Sequence, residues 1–464
     1  MGGFWYALVG RLIPSTIVGT VPRTRIMKRM SRTTLFATLV TTLSIVAVLV
    51  MPVVEAAPLR LQFQQTWGGP NSEIANGIAI GTDGNLYLAG QTNSFGAGGF
   101  DAFLLKFTPG DTLLWQLTWG TANDEQGVAV ATSIDGSVYL AAQTFAIGDT
   151  GADLVKFTPD GTLIWQTQLD GSAQAFVSSV AVTPDGTSVY VAGTTLNSTG
   201  RDHAILLKFS SSGTLTWQKT WGGRFDEGAS GVAVAADGSV YMTGGTSSFT
   251  RNEAFLNKFN PDGKLVWQRG YRLAPSTLVS ANALAIAQDG SIYITGDSQV
   301  QGTAQEIFLA KFAPDGTLVS QENWAETTLG SAGLGVAVSP DGSVWVTGNT
   351  GIGAGGGDVI LLHFSATGKI LNANTWGGTN NDSGNQIAVG ADGRAYTAGQ
   401  TMSTPPYSFL RAPTKTVNPG GTVAILTGVV GDFTGTVSNP SGVVGNPNGS
   451  LTFAGGTDAV LLKV

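Results

Sequence analysis

The chain has 464 residues, 65 of them glycine, with 12% charged residues and a formal net charge of -7. Such a composition suits short strands joined by many turns, and it lacks the basic footprint of a nucleic-acid binder, so no nucleic-acid partner is expected. With no cysteine, disulfides, thiolate-held metals, thiol nucleophiles and lipid-anchoring cysteines are all excluded.

The N-terminus reads as an export signal. Lys28, Arg29 and Arg32 precede an apolar run from Leu35 to Met51, and Val54-Glu55-Ala56 supplies small residues before a cut. Residues 1–56 are therefore expected to be an N-terminal extension and signal peptide, and the mature chain to begin near Ala57. Met27 with its basic cluster makes the more ordinary start. The apolar run is about long enough to span a bilayer, so an uncleaved anchor is the alternative. After cleavage no membrane span remains, and the protein is expected to be secreted, periplasmic or on the cell surface.

From there on the chain repeats. The unit is plain in "GVAVAADGSVYMTGGT" (231–246), "EAFLNKF" (253–259) and "NPDGKLVWQRGY" (260–271). A first strand of small and β-branched residues meets an Asp-Gly hairpin, a second strand alternates after it, a loop leads to a third, and Pro261 with Asp262-Gly263 turns into a fourth. The glycine of the first turn recurs at Gly84, Gly136, Gly186, Gly238, Gly290, Gly342 and Gly393. Four-stranded antiparallel units at that period are the signature of a β-propeller. The first strand, rich in glycine and alanine, belongs at the crowded axis. The fourth, carrying Trp115, Trp165, Trp217 and Trp267, belongs at the wide outer rim, where the indoles pack between blades.

The segment 402–457 is almost one period long. "NPGGTVAILTGV" (418–429) aligns with 260–271, with Ile425 standing where Trp267 does, and "GVVGNPNGSLTFAGGT" (442–457) follows 231–246 with Asn448-Gly449 as the hairpin pair. The end of the fourth strand recurs at Trp67, Trp119, Leu169, Trp221, Tyr271, Trp324, Trp376 and Val429. This series predicts an all-β fold, a single propeller over 57–464 of four-stranded antiparallel blades. Eight blades are preferred, the last two, about 386–464, being degenerate; seven blades plus a long loop is the alternative. "LQFQQTW" (61–67) aligns with "LLWQLTW" (113–119), so it is a fourth strand with no blade before it, while "TDAVLLKV" (457–464) is a third strand with nothing after it. The two should pair and close the ring, with Phe63 and Trp67 on one side and Asp458 and Lys463 on the other.

The units resemble the bacterial β-propeller repeat family often called SBBP: Trp67-Gly68-Gly69, Asp83-Gly84, Tyr87 to Thr92 and Asp101 to Phe107 carry the pattern, which returns along essentially the whole mature chain. The resemblance implies architecture rather than activity, and the family's name implies seven blades.

A lysine recurs on the third strand at Lys106, Lys156, Lys208, Lys258, Lys311 and Lys463, with His363 once in its place. An acid stands five residues earlier at Asp101, Glu253, Glu306, Asp358 and Asp458. A ring of charges around a ligand is one reading; the other is that a residue repeated in every blade meets a need every blade has, such as pairing a turn carboxylate. The acidic loops at 121–127, 224–228 and 379–384 lack the spacing of a calcium loop, leaving weak loop calcium as the most they offer, and no cofactor is expected. His203 and His363 lie on different blades without a nucleophile motif, which argues against a hydrolytic triad. The Gly-rich stretch 351–358 has no following helix to bind phosphate. "SATGKILN" (365–372) and "PDGTLIWQ" (159–166) are similar to the quinoprotein dehydrogenase repeat, so an envelope enzyme, oxidoreductase or lyase, is the alternative function. The leading expectation is a non-enzymatic exported scaffold that binds a protein or polysaccharide through loops on one face. Symmetry breaks at 402–406 and 431–441, which makes Met402, Ser403, Thr404, Asp432, Phe433 and Asn439 the candidate binding residues.

Overall fold

The computed structural model describes residues 58–464, apart from 147–148, 171–173, 197–199, 249–251, 275, 277, 325–328, 354, 414–415, 418–420, 428, 433–435, 439–442, 448–450 and 452–455. The export signal expected over 1–56 lies outside the described residues. Within them all regular structure is β, arranged as seven antiparallel sheets. In blade 1 the strands Glu73–Ile80, Leu86–Thr92, Asp101–Phe107 and Leu113–Gly120 pair in sequence order. Gly84 holds the first hairpin at φ +76°, a conformation costly for other residues, and its amide closes the turn on Gly81 O at 2.9 Å. The middle strands of this blade, Leu86–Thr92 and Asp101–Phe107, are buried at every residue because a neighbouring blade covers each face.

The innermost strands Glu73–Ile80, Asp124–Thr132, Ala175–Val182, Glu227–Val234, Leu278–Ile286, Ser331–Val338 and Asp382–Val389 follow one another around the axis, and the last lies beside the first. The apolar core is divided among the blade interfaces. Tyr139, Ala141 and Leu154 of blade 2, for example, pack with Val191, Ile205 and Leu207 of blade 3. Each wedge is thus filled by side chains from two blades, so the ring gains stability only as a whole.

Blade 7 is built from both ends of the sequence. Asp382–Val389 and Ala395–Thr401 are its inner strands, Asp458–Lys463 is its third, and Phe63–Trp67 is its outermost. The closing register runs from Phe63↔Lys463 to Trp67↔Ala459.

The eighth blade preferred from the sequence is not formed. The segment 402–457 instead travels backwards around the rim as a belt. Ser408–Arg411 adds a fifth strand to blade 6, Thr416–Val417 to blade 5, Gly421–Ile425 to blade 4, Val429–Asp432 to blade 3, Thr436–Ser438 to blade 2 and Val443–Gly445 to blade 1. Val429, expected to end a fourth strand, faces Gly222 of blade 3, and Ile425 faces Arg269 of blade 4. The hairpin pair expected at Asn448-Gly449 lies outside the described residues. The physical reason is burial. A blade needs large residues on both faces of its middle strands, whereas 402–457 contains no tryptophan, and Ile425, Val429 and Val443 stay 79%, 71% and 67% exposed. Such a chain suits single short strands on the free edges of outer strands, and those edges are thereby covered.

Candidate functional site

The repeated lysines belong to the scaffold. Lys106 Nζ lies 5.0 Å from the Tyr87 ring centroid, pairs with Asp83 of its own hairpin at 2.9 Å and donates to Pro159 O on the outer turn of blade 2 at 3.0 Å. Trp115 Nε1 donates to that same carbonyl at 3.2 Å. Lys156 and Trp165 share Ser211 O, and Lys208 and Trp217 share Pro261 O, in the next two blades. In blades 1 to 3 lysine and tryptophan together clasp the blade to the following turn, and Trp267 of blade 4 and Lys311 of blade 5 make the corresponding bonds to Pro314 O and Ala366 O.

Blade 6 departs from this rule. Its next neighbour is blade 7, whose third and fourth strands come from opposite ends of the sequence and are joined by no turn. Here His363 replaces the lysine and stacks on Trp345, with centroids 4.0 Å apart and planes 10° apart. Burial holds the imidazole below its usual pKa, opposed by Asp341. His203 is a different case. It stands where blade 1 carries Asp101 and lies beside Glu227 across Gly222. The structure therefore keeps the two histidines on separate blades.

The acidic loops are turns held by their own amides. Glu125 accepts from the Thr121 amide at 2.8 Å and hydroxyl at 2.5 Å, and Glu227 accepts from the Gly223 amide at 2.9 Å. Among the described residues no group of three or more histidine or acidic side chains is placed to hold a metal.

At the axis, each innermost strand carries a β-bulge, and the extra residue faces a channel of about 210 Å³: Asn76, Val128, Ser178, Ser230, Asn282, Leu334 and Asn385. Three of the asparagines stitch neighbouring blades. Asn76 Nδ2 donates to Gly127 O at 2.9 Å, Asn282 Nδ2 to Gly333 O at 2.9 Å, and Asn385 Nδ2 to Ala75 O at 3.0 Å.

The candidate site lies on the face that carries the blade-to-blade connections and the loops between second and third strands. Between blades 6 and 7 a groove of about 380 Å³ is lined by Asn349, Thr350, Asn381, Ser383, Gln400 and Met402, with glycines between them. Asn349 and Gln400 are the penultimate residues of the second strands Val344–Thr350 and Ala395–Thr401, and Met402 follows as the chain leaves blade 7 for the belt. The Met402 amide donates to Asn381 O at 3.0 Å, and its side chain is 39% exposed. Ser403 is buried and pins the groove: its hydroxyl donates to Asp382 Oδ2 and accepts from the Asn380 amide, both at 2.9 Å. Tyr407 donates its hydroxyl to Ser403 O at 3.0 Å and packs on Trp376, and burial pushes its phenol up to about 12. Thr404 is exposed and does not line the groove.

The other candidates lie elsewhere. Asp432 is on the belt strand of blade 3, facing Lys219. Phe433 and Asn439 fall outside the described residues. The closure residues form a separate seam, where Lys463 lies over the rings of Tyr396 and Phe63 and donates to Pro109 O at 2.6 Å, and Asp458 is buried opposite Thr401. Sequence symmetry breaking pointed to Met402 but not to Asn349, Gln400 or Asn381. The first two vary at one position of the repeat, Gln91, Gln143, Thr194, Gly245, Asp297, Asn349 and Gln400, and that variation was the available signal.

Fold and repeat together make this chain a seven-bladed β-propeller. Residues 287–318 match a family model described as a domain of unknown function (DUF5122) beta-propeller. No curated protein matches it. Solved structures with which it shares a likeness include a protein from Lactobacillus plantarum, at 16% identity and TM-score 0.42, covering 64% of this chain and 82% of that one. Another is XC5397 from Xanthomonas campestris, a gluconolactonase, at 15% identity and TM-score 0.31, covering 47% and 68%. A third is a puromycin hydrolase S511A mutant, at 15% identity and TM-score 0.41, covering 76% and 53%.

Proposed function

We propose that this protein is a non-enzymatic binding scaffold of the cell exterior or envelope, an exported propeller of the SBBP type whose loop-face groove at Met402 takes a polysaccharide. The observation that carries this reading is the groove's chemistry: side-chain amides from Asn349, Asn381 and Gln400 beside one apolar side chain, over a buried Asp382 carboxylate already taken by Gly378, Thr401 and Ser403. Neutral donors and acceptors suit sugar hydroxyls, and the Met402 thioether suits the apolar face of a pyranose ring. The groove rests on rigid elements, since Asp382 and Ser403 fix its floor, so binding costs little ordering of the protein.

A glycan screen with residues 57–464, repeated on Asn349→Ala and Gln400→Ala, tests the reading. Saturable binding of a glycan that both substitutions weaken by about tenfold or more supports it. Binding of no glycan, or binding indifferent to both substitutions, overturns it. Export is tested separately by fractionating cells that express the full chain, where retention in the cytoplasm contradicts that part of the proposal.

A further inference from the structure

The belt does not seal all blades alike. In blade 4, Glu253 at the head of the third strand is fully buried and takes the Arg272 guanidinium in two bonds, Nε to Oε2 at 2.7 Å and Nη2 to Oε1 at 3.1 Å. Leu426 of the belt, 2% exposed, fills the neighbouring space against Gly270. Blade 1 has the same framework, for Ala102↔Trp119 corresponds to Ala254↔Tyr271. There Asp101 takes the place of Glu253, and Gly120 takes the place of Arg272. The belt passes as Val443–Gly445 against Thr118, Trp119 and Gly120, and in this register Asn446 stands where Ile425 does and Pro447, shorter than a leucine, where Leu426 does. What blade 4 fills with an arginine and a leucine, blade 1 leaves as a cavity of about 410 Å³, lined by Phe95, Ala97, Asp101, Thr118, Val443 and Pro447.

The cavity has a charged end and an apolar wall. Asp101 is 1% exposed, and its two oxygens accept from the Ala97 amide at 3.2 Å and the Gly98 amide at 3.1 Å, so the carboxylate is fixed in place. Glu125 stands next to it: Asp101 Oδ1 and Glu125 Oε2 lie 2.1 and 2.7 Å from the point a Gly120 Cβ would occupy. Burial pushes both carboxyls up, and the negative charge of Asp124 adds to each shift. A cation brought beside them relieves that repulsion. Phe95, Val443 and Pro447 offer the surface along which an aliphatic stem packs.

We propose that this cavity binds a guanidinium group carried on an aliphatic stem, with Asp101 as its anion, repeating from outside the contact that Arg272 makes within blade 4. The geometry favours guanidinium over a point cation because the blade 4 pair is two-pronged.

The test uses residues 57–464 with butylguanidinium, N-acetyl-arginine methylamide, butylammonium, neutral pentanamide and calcium as probes, followed by titration calorimetry and ligand-observed NMR. The expected result is one saturable site for the two guanidinium compounds, at least tenfold weaker binding of pentanamide, and at least tenfold weaker guanidinium binding to Asp101→Asn. Thr118→Leu, which narrows the cavity without changing charge, is expected to weaken binding similarly at an unchanged thermal midpoint, and it decides the matter alone if Asp101→Asn does not fold. Tighter binding of the arginine compound than of butylguanidinium assigns a peptide source, and equal binding a small-molecule source. No saturable guanidinium binding, binding unchanged by both substitutions, or a site that takes only calcium overturns the proposal.

Discussion

Trp67 donates its indole N–H to Gln116 Oε1 at 2.7 Å across the seam between blade 7 and blade 1. The bond recurs from Trp119 to Gln166 at 2.8 Å, from Trp221 to Gln268 at 2.7 Å and from Trp376 to Gln64 at 2.7 Å, and the Tyr271 hydroxyl makes it to Gln321 at 3.0 Å. Blade 6 has Ala373 where the glutamine belongs, and Trp324 turns instead to Pro413 O of the belt at 2.7 Å. Gln116 also donates to Pro447 O of the belt at 2.6 Å, tying together two blades and the strap around them. Gln116→Met is therefore expected to leave a buried indole N–H and a belt carbonyl unsatisfied and to cost about 1–3 kcal/mol, read from the urea midpoint.

The His363 exchange has a consequence in both charge and pH. His363→Lys places an ammonium where no turn carbonyl of the next blade awaits it, and a loss of about 1–3 kcal/mol is expected in chemical denaturation. The native histidine has its folded pKa below the unfolded value of 6.5. The unfolded chain therefore binds the proton first, and the histidine's share of stability, complete above about pH 6.5, is lost as pH falls toward the folded pKa. Relative to His363→Phe, the parent protein should lose stability as pH falls below about 6.5, the unfolded pKa, as read by denaturation at each pH.

Asp111 sits at φ +77° in the outer turn of blade 1, where the corresponding turns carry Gly161, Gly213, Gly263, Gly316 and Gly368. The local order Gly110-Asp111 inverts the usual pair. Asp111→Gly should raise stability by roughly 0.5–1 kcal/mol, visible as a higher thermal midpoint.

Removing residues 59–67 strips the outer strand from blade 7 and exposes the edge of Asp458–Lys463 over its whole length. The shortened protein should aggregate or melt well below the parent, as monitored by light scattering during a thermal ramp.

The sequence carried much of this and lost some of it for physical reasons. The four strands of each blade, their turns and the closure of 63–67 on 458–463 follow from Asp-Gly pairs, alternation and aligned ends, all of which are local. The belt was hidden because 402–457 is about one repeat long and Gly-Thr-Val stretches read alike on a blade or along its edge. The feature that separates the two is the absence of tryptophan from 402–457, as Ile425 standing for Trp267 shows. The lysine clasp was half legible: Lys106 and Asp83 repeat in register, but the carbonyl of Pro159 belongs to the next blade and only the ring brings it near. Of the candidate groove, Met402 stood out by breaking symmetry, while Asn349 and Gln400 looked like ordinary variation until two blades placed them side by side.

The central claim, a seven-bladed ring wrapped by a belt, is tested most directly by a cysteine pair in a chain that has no other cysteine. Arg269 of blade 4 and Ile425 of the belt face each other in an antiparallel register, so their Cα atoms are within disulfide reach. Arg269→Cys with Ile425→Cys should close into an intramolecular disulfide under mild oxidation, seen as a mass loss of about two hydrogens and one cross-linked peptide pair. In an eight-bladed ring Ile425 would lie in the fourth strand of blade 7, away from blade 4. Failure of the folded double variant to form the bond, with both thiols still free, would contradict the belt and the seven-blade count together.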